Sequence, residues 1–134
     1  MTQRNTKTEK WTDDAWFKKL TAFEKLMFIF LYENCDCAGI WEIDLEDAAY
    51  KMGLNIEVAE QAFRGLSRAY VTDGERIMLI NFLYHQNNLP LNPDNNCHKG
   101  IIKRLARHPG LWELAKERWR EKSYIIHKAK RRLF

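Results

Sequence analysis

GIWEIDLEDAAYKMGLNIEVAEQAFRGLSRAYVTDGERIMLINFLYHQ, residues 39–86, is the stretch that decides the fold. Leu45, Ala48, Ala49 and Met52 recur at i, i+3, i+4 and i+7, which lines one face of a short helix with apolar side chains. Asp44 caps that helix, because its side chain accepts from the free amides of the first turn, and Gly53 supplies the left-handed residue that lets it stop. Asn55 caps a second helix, in which Ala59, Ala62, Phe63, Leu66 and Ala69 or Tyr70 repeat the stripe. The connection from Gly53 to Asn55 has the length of a helix-turn-helix. Tyr70-Val71-Thr72, Asp73-Gly74 and Arg76 to Phe82 predict two strands and a hairpin, since Asp-Gly tolerates the positive φ of such turns. Gly39 to Ile43 predicts a further strand ahead of the first helix. Strand, helix, turn, helix and hairpin in that order predict a mainly α chain of the α+β class. The expected architecture is a winged helix-turn-helix with a small antiparallel sheet and a C-terminal helical extension.

Upstream, Thr21-Ala22-Phe23-Glu24 has capping-box spacing, so a helix Ala22 to Asn34 is expected to start there. Its run Leu26 to Leu31 is apolar almost all round and predicts the central helix of the core. It falls short of the roughly 20 apolar residues that cross a bilayer. A shorter helix around Asp14 to Leu20 would lay Trp16, Phe17 and Leu20 on the core. No signal peptide is recognisable near the N-terminus, where Thr2 to Lys10 is polar. The composition, 134 residues with 46% hydrophobic and 13% aromatic, is enough for one core without staples. Three cysteines are an odd number, so free thiols in a reducing cytoplasm are expected.

Residues 11–86 are read as the winged-helix domain and residues 87–96 as a connector, in which five Asn and two Pro mark turns. Residues 97–134 are read as a basic helical extension packed on the same domain. There Cys97 to His108 predicts a helix closed by Pro109-Gly110, and Leu111 to about Arg132 a final helix. Trp112, Ala115, Trp119, Ile126, Ala129 and Leu133 fall on its seven-residue repeat. Lys122 interrupts the stripe and two inner positions are Ala, which points to packing on the body rather than to a coiled coil.

Charge is distributed unevenly. Residues 99–134 hold 12 Lys and Arg against 3 Glu, a formal +9, while the remainder of the chain is a formal −5. On the second helix of the pair, Gln61, Arg64, Ser67 and Arg68 face away from the apolar stripe and can donate to base edges or phosphates. Glu57 and Glu60, near its N-terminal end, repel a phosphate backbone, and the wing tip adds Asp73 and Glu75. Most of any affinity for nucleic acid is therefore assigned to Lys99, Lys103, Arg104, Arg107, Lys128, Lys130, Arg131 and Arg132, with Arg118, Arg120 and Lys122 beside them. The competing reading is a solvated helix face opposite the Trp stripe.

Enzyme chemistry finds no foothold in the pattern. The six Gly are scattered, with no phosphate-cradling loop, and no Cys-His pair sits in a nucleophile context. His85 beside Gln86 reads as a structural histidine closing the sheet edge. Cys35-Asp36-Cys37 with Cys97-His98 could supply four zinc ligands, but one residue between paired cysteines is tighter than structural sites use. No metal and no cofactor is expected.

Trp16-Phe17, Phe23 to Asn34, Ala38-Gly39-Ile40-Trp41-Glu42, the helix pair ending at Leu66, and Ile80-Asn81-Phe82-Leu83-Tyr84-His85-Gln86 carry a family resemblance. In their order and spacing, over about residues 11–107, the chain resembles the N-terminal winged-helix domain of phage replisome organisers and related DnaD-like replication-initiation proteins. The resemblance implies a non-enzymatic DNA-binding role in phage or prophage replication initiation, on origin DNA or single strands, with recruitment of replisome or helicase-loading proteins. It also implies homo-oligomerisation as a use of the same fold. Two other readings stand beside it: a protein-interaction or oligomerisation module without direct DNA contact, and a winged-helix transcriptional regulator. No membrane partner is expected.

Overall fold

The computed structural model describes residues 15–86 and 88–121. It is mainly helical with one small antiparallel sheet, an α+β arrangement. The elements run α1 (Ala15–Lys18), α2 (Ala22–Asn34), β1 (Ile40–Glu42), α3 (Leu45–Met52), α4 (Ile56–Gly65), a 3-10 turn (Ser67–Ala69), β2 (Tyr70–Thr72), β3 (Arg76–Leu79), α5 (Phe82–His85), α6 (Asn96–Arg107) and α7 (Pro109–Glu121).

Helices α2, α3 and α4 start where the sequence can satisfy free amides. Thr21 accepts from Glu24 N at 3.2 Å while the Glu24 carboxylate takes Thr21 N at 2.9 Å, a reciprocal box that satisfies two of the amides left free at the helix start. Asp44 Oδ1 accepts from Asp47 N at 3.1 Å and Asn55 Oδ1 from Val58 N at 2.9 Å. Each such cap stabilises its helix by about 1 kcal/mol. Gly53 closes α3 at φ +74°, in the left-handed region that a Cβ disfavours.

The strands are ordered β1-β3-β2, all antiparallel, with Trp41 opposite Ile77 and Val71 opposite Met78. Ile77, Met78 and Leu79 on the central strand are all buried, so the sheet is covered on both faces. Aromatic rings bind the layers together: Phe30 of α2 meets Trp41 of β1 at 6.1 Å, Trp41 meets Phe63 of α4 at 6.2 Å, and Phe63 stacks on Tyr70 of β2 at 4.8 Å. Ile101, Leu105, Leu111, Ala115 and Trp119 of α6 and α7 belong to the same core as Met27 and Leu31 of α2.

Four expectations from the sequence are corrected. The strand expected over Arg76 to Phe82 ends at Leu79, and Phe82–His85 is helical, with His85 N and Gln86 N donating to Asn81 O and Phe82 O at 3.0 Å each. His85 therefore lies on α5. Helix α2 is not enclosed: it buries Met27, Leu31 and Tyr32, but Phe23 and Leu26 stand 50% and 39% exposed. The second helix of the pair stops at Gly65, so Ser67 and Arg68 sit on the 3-10 turn and the helical stripe does not run on to Ala69, while Tyr70 begins β2 as Tyr70-Val71-Thr72 predicts. Pro109 does not merely end α6; it opens α7 as the first helical residue, where a missing N–H costs nothing. The expected continuation of that last helix, with Ile126, Ala129 and Leu133, lies outside the described residues.

Gly39 illustrates how tightly β1 is seated. It has φ +85°, and a Cβ there would lie 2.8 Å from Phe82 Cβ, whereas the equally left-handed Gly53 has open space around it. Gly53→Ala is expected to cost only the left-handed strain, about 1 kcal/mol. Gly39→Ala adds a clash with a buried ring and should lose ~3 kcal/mol or more in urea unfolding.

Candidate nucleic-acid interface

The sequence-assigned cations divide by what the fold does with them. Helix α6 begins at Asn95, whose side chain accepts from Cys97 N at 2.9 Å and His98 N at 3.2 Å. Its inner face carries Ile101 and Leu105, both buried. Opposite that face, Lys99, Lys103 and Arg107 follow one another at four-residue intervals and are all exposed. Four residues rise about 6 Å along a helix, so the row is about 12 Å long. Among the described residues none of the three is in an ion pair.

Arg104 is different. It lies on the flank of α6, half-buried, and its Nε donates to Asp36 Oδ2 at 2.7 Å. Asp36 Oδ1 meanwhile accepts from Ala38 N at 2.8 Å and Ile40 N at 3.0 Å. Arg104 therefore fastens α6 to the turn between α2 and β1. Next to it, burial and the Asp36 carboxylate push the Cys37 thiol above its ordinary pKa, so Cys37 is protonated at neutral pH.

Helix α7 turns most of its cations inward. Arg118 Nη2 donates to Arg68 O at 2.7 Å and Nη1 to Tyr70 O at 3.4 Å. Lys116 pairs with Glu113 at 2.6 Å and lies 5.4 Å over the Trp112 ring. That hydrogen bond holds the Glu113 carboxyl below its ordinary range. Outward, Glu113, Glu117 and Glu121 form an exposed row of their own at four-residue spacing. Within the described residues the extension thus presents a cationic ridge on α6 and an anionic one on α7. Lys128, Lys130, Arg131 and Arg132 lie outside the described residues, as does Lys122.

On α4, Glu57, Gln61 and Arg64 are exposed, and Arg64 pairs with Glu60 at 3.8 Å. Both partners face solvent, so the pair is worth at most about 1 kcal/mol and yields readily to another anion. Ser67 and Arg68, also exposed, continue this surface on the 3-10 turn. The fold brings Gln61, Arg64, Ser67 and Arg68 onto one continuous segment and leaves the α6 row on a separate element, joined to it through α7. The hairpin tip is locally anionic. Asp73 Oδ1 accepts from Glu75 N at 2.9 Å and Arg76 N at 2.8 Å, and these bonds hold its carboxyl below the ordinary value.

Tyr50, 86% exposed on the outer face of α3, escaped the sequence reading, although an aromatic residue off the apolar stripe of an amphipathic helix was the available signal. Of the paired cysteines, Cys35 is buried and donates to Tyr32 O at 3.5 Å, while Cys37 and Cys97 are exposed. Among the described residues no group of three or more His, Cys, Asp or Glu side chains is placed to hold a metal ion. Nor is any helix there long and apolar enough to cross a membrane. Comparison with known proteins returns no matching family model, no matching curated protein and no matching solved structure.

Removing the Asp36 carboxylate strands two amides and a guanidinium at once. Asp36→Ala should cost about 3 kcal/mol in thermal or urea unfolding, and Arg104→Met clearly less, since only one charge-assisted bond is lost. The Asp73 hydrogen bonds have a definite pH consequence. The folded pKa is lowered relative to the unfolded chain, so the stabilisation is present above about pH 4 and disappears as pH falls through the folded value. A carboxyl NMR titration should place the Asp73 midpoint below the ordinary aspartate value, and Thr72→Ala should leave it there.

Proposed function

We propose that the chain is a winged-helix DNA-binding protein that acts, without catalysis, in replication initiation of the phage type. The fold assignment is supported by the path α2-β1-α3-α4-β2-β3 with sheet order β1-β3-β2, in which α3 and α4 form the helix-turn-helix and the β2–β3 hairpin the wing. DNA contact is carried by one observation: the exposed row Lys99, Lys103 and Arg107, with no acidic partner among the described residues. Phosphates would anchor on that row, and Gln61, Arg64, Ser67 and Arg68 would reach the groove or the adjoining backbone. The replication role rests on the resemblance of residues 11–107 alone, and so do replisome or helicase-loading partners; a cytoplasmic setting rests on the three cysteines read as free thiols.

A second reading has observations in its favour. Phe23, Leu26 and Tyr50 are exposed apolar groups, and Glu57 and Glu60 guard the entry of α4. They suit a protein-interaction or oligomerisation module, and a transcriptional regulator would use the same α4 surface as the first reading.

Salt-dependent binding separates these. Neutralising one phosphate contact should reduce the slope of log affinity against log salt by roughly 0.9 on duplex and 0.7 on single strands. Lys99→Gln, Lys103→Gln and Arg107→Gln are each expected to show that change in fluorescence anisotropy with labelled DNA. Arg64→Glu with Arg68→Glu should weaken binding further. If the wild-type chain binds neither duplex nor single strand at low salt, the DNA reading is wrong and the interaction module takes its place.

A further inference from the structure

We propose that Arg118 is a positioning residue for the DNA-contacting surface of α4 and its following turn, and not a phosphate ligand. This rests on the DNA-binding reading above. The side chain leaves α7 between Ala115 and Trp119, which are 0% and 1% exposed, so its origin is fixed by the core. Its guanidinium fork then reaches 50 residues back along the chain to Arg68 O and 48 back to Tyr70 O. These carbonyls bracket the point where the 3-10 turn gives way to β2.

The geometry suits the location in three ways. A cation at the C-terminal end of a helical segment meets the negative pole of its dipole. Strand β2 is an edge of the sheet, and a donor from α7 satisfies an edge carbonyl that would otherwise need water. A planar fork can serve two acceptors at once, which an ammonium on a flexible stem does less well. The same turn is closed from the other side: Tyr70 Oη donates to Phe63 O at 3.0 Å and Ala69 N to Leu66 O at 2.8 Å. The Tyr70 hydroxyl is pushed above its ordinary pKa by burial, so it stays protonated as this donor. Arg118 thereby sets where the Ser67 and Arg68 side chains emerge, and it links the docking of α7 to the α4 surface.

The test measures duplex binding over a salt series for the wild type, Arg118→Lys, Arg118→Gln, Arg68→Gln and the Arg118→Gln/Arg68→Gln pair. Arg118→Gln should weaken binding on the order of 10-fold, the scale of one lost charge-assisted hydrogen bond, with the salt slope unchanged. That loss should shrink to about 2-fold or less when Arg68 is already Gln, because the side chain being positioned is gone. Arg118→Lys keeps the charge and the packing, so it guards against simple misfolding; it should fall between wild type and Gln. A slope reduced by roughly 0.9 in Arg118→Gln would make Arg118 a phosphate ligand and overturn the proposal. An undiminished loss in the Arg68→Gln background would overturn it too. Hydrogen exchange on the free protein supplies a readout independent of DNA: the amides of Ala69 and Ile80, which join this turn to its neighbours, should exchange faster in Arg118→Gln. Unchanged exchange there sinks the positioning role even if DNA binds. If the wild type binds no DNA while exchange responds as expected, it is the functional reading that fails.

Discussion

Asp36 is the residue on which the joining of the two halves depends. One carboxylate oxygen takes the amides of Ala38 and Ile40, turning the chain out of α2 and into β1, and the other takes Arg104 from α6. Asp36 N also donates to Ile40 O at 2.8 Å, so the turn is closed in both directions. Gly39, between the two amides, takes the left-handed conformation that brings β1 against Phe82. The position of β1 beside β3 and the position of α6 on the body are thus fixed by one side chain. A partly buried ion pair of this kind contributes because its remaining lone pairs are satisfied by backbone amides; an isolated charge there would cost more than the pair returns.

What could be read from the sequence follows from which signals are local. The Thr21–Glu24 box, the Asp44 and Asn55 caps and the Gly53 stop depend only on neighbours within one turn, and α2, α3 and α4 begin where those residues place them. Over Ile77 to Leu83 only Asn81 is polar, so neither period can be recovered from the run and a strand through Phe82 is as readable as a helix. What bends the chain after Leu79 is tertiary: Phe82 and Leu83 are buried and Phe82 meets Tyr32 at 5.2 Å. The exposure of Phe23 and Leu26 had the same origin, since an apolar run shows what a helix can bury and not how many neighbours arrive to cover it. The candidate interface was legible as residue types and less so as roles. Nothing near Arg104 or Arg118 in the chain reveals that their partners lie at Asp36, Arg68 and Tyr70.

That division of roles changes the meaning of the composition. A formal +9 over residues 99–134 suggests a continuous basic surface, yet Arg104 and Arg118 donate to oxygens of the body and α7 turns Glu113, Glu117 and Glu121 outward. Helix α6 keeps its charge because its cations sit directly opposite Ile101 and Leu105. Burying those two side chains compels Lys99, Lys103 and Arg107 to face solvent as one row. The hydrophobic pattern of α6 therefore builds the ridge as surely as the charges do.

The anionic groups then restrict how a phosphate backbone can approach. Screening at physiological salt leaves interactions effective over about 8 Å, so Glu57 hardly acts at the far end of α4, whereas Glu60 reaches Arg64 directly in their 3.8 Å ion pair. Arg64 and Arg68 lie toward that far end, where the 3-10 turn is held by Arg118 from α7. A polyanion bound by Arg64 and Arg68 would meet α4 at its C-terminal end, the reverse of the entry usual for a helix whose N-terminal residues contact base edges. Contacts there would fall to Arg64 and Arg68, whose guanidinium groups serve phosphates and the guanine edge alike. If the proposed DNA contact is made, the link between α7 and the turn after α4 is the feature that decides whether the two cationic surfaces act together.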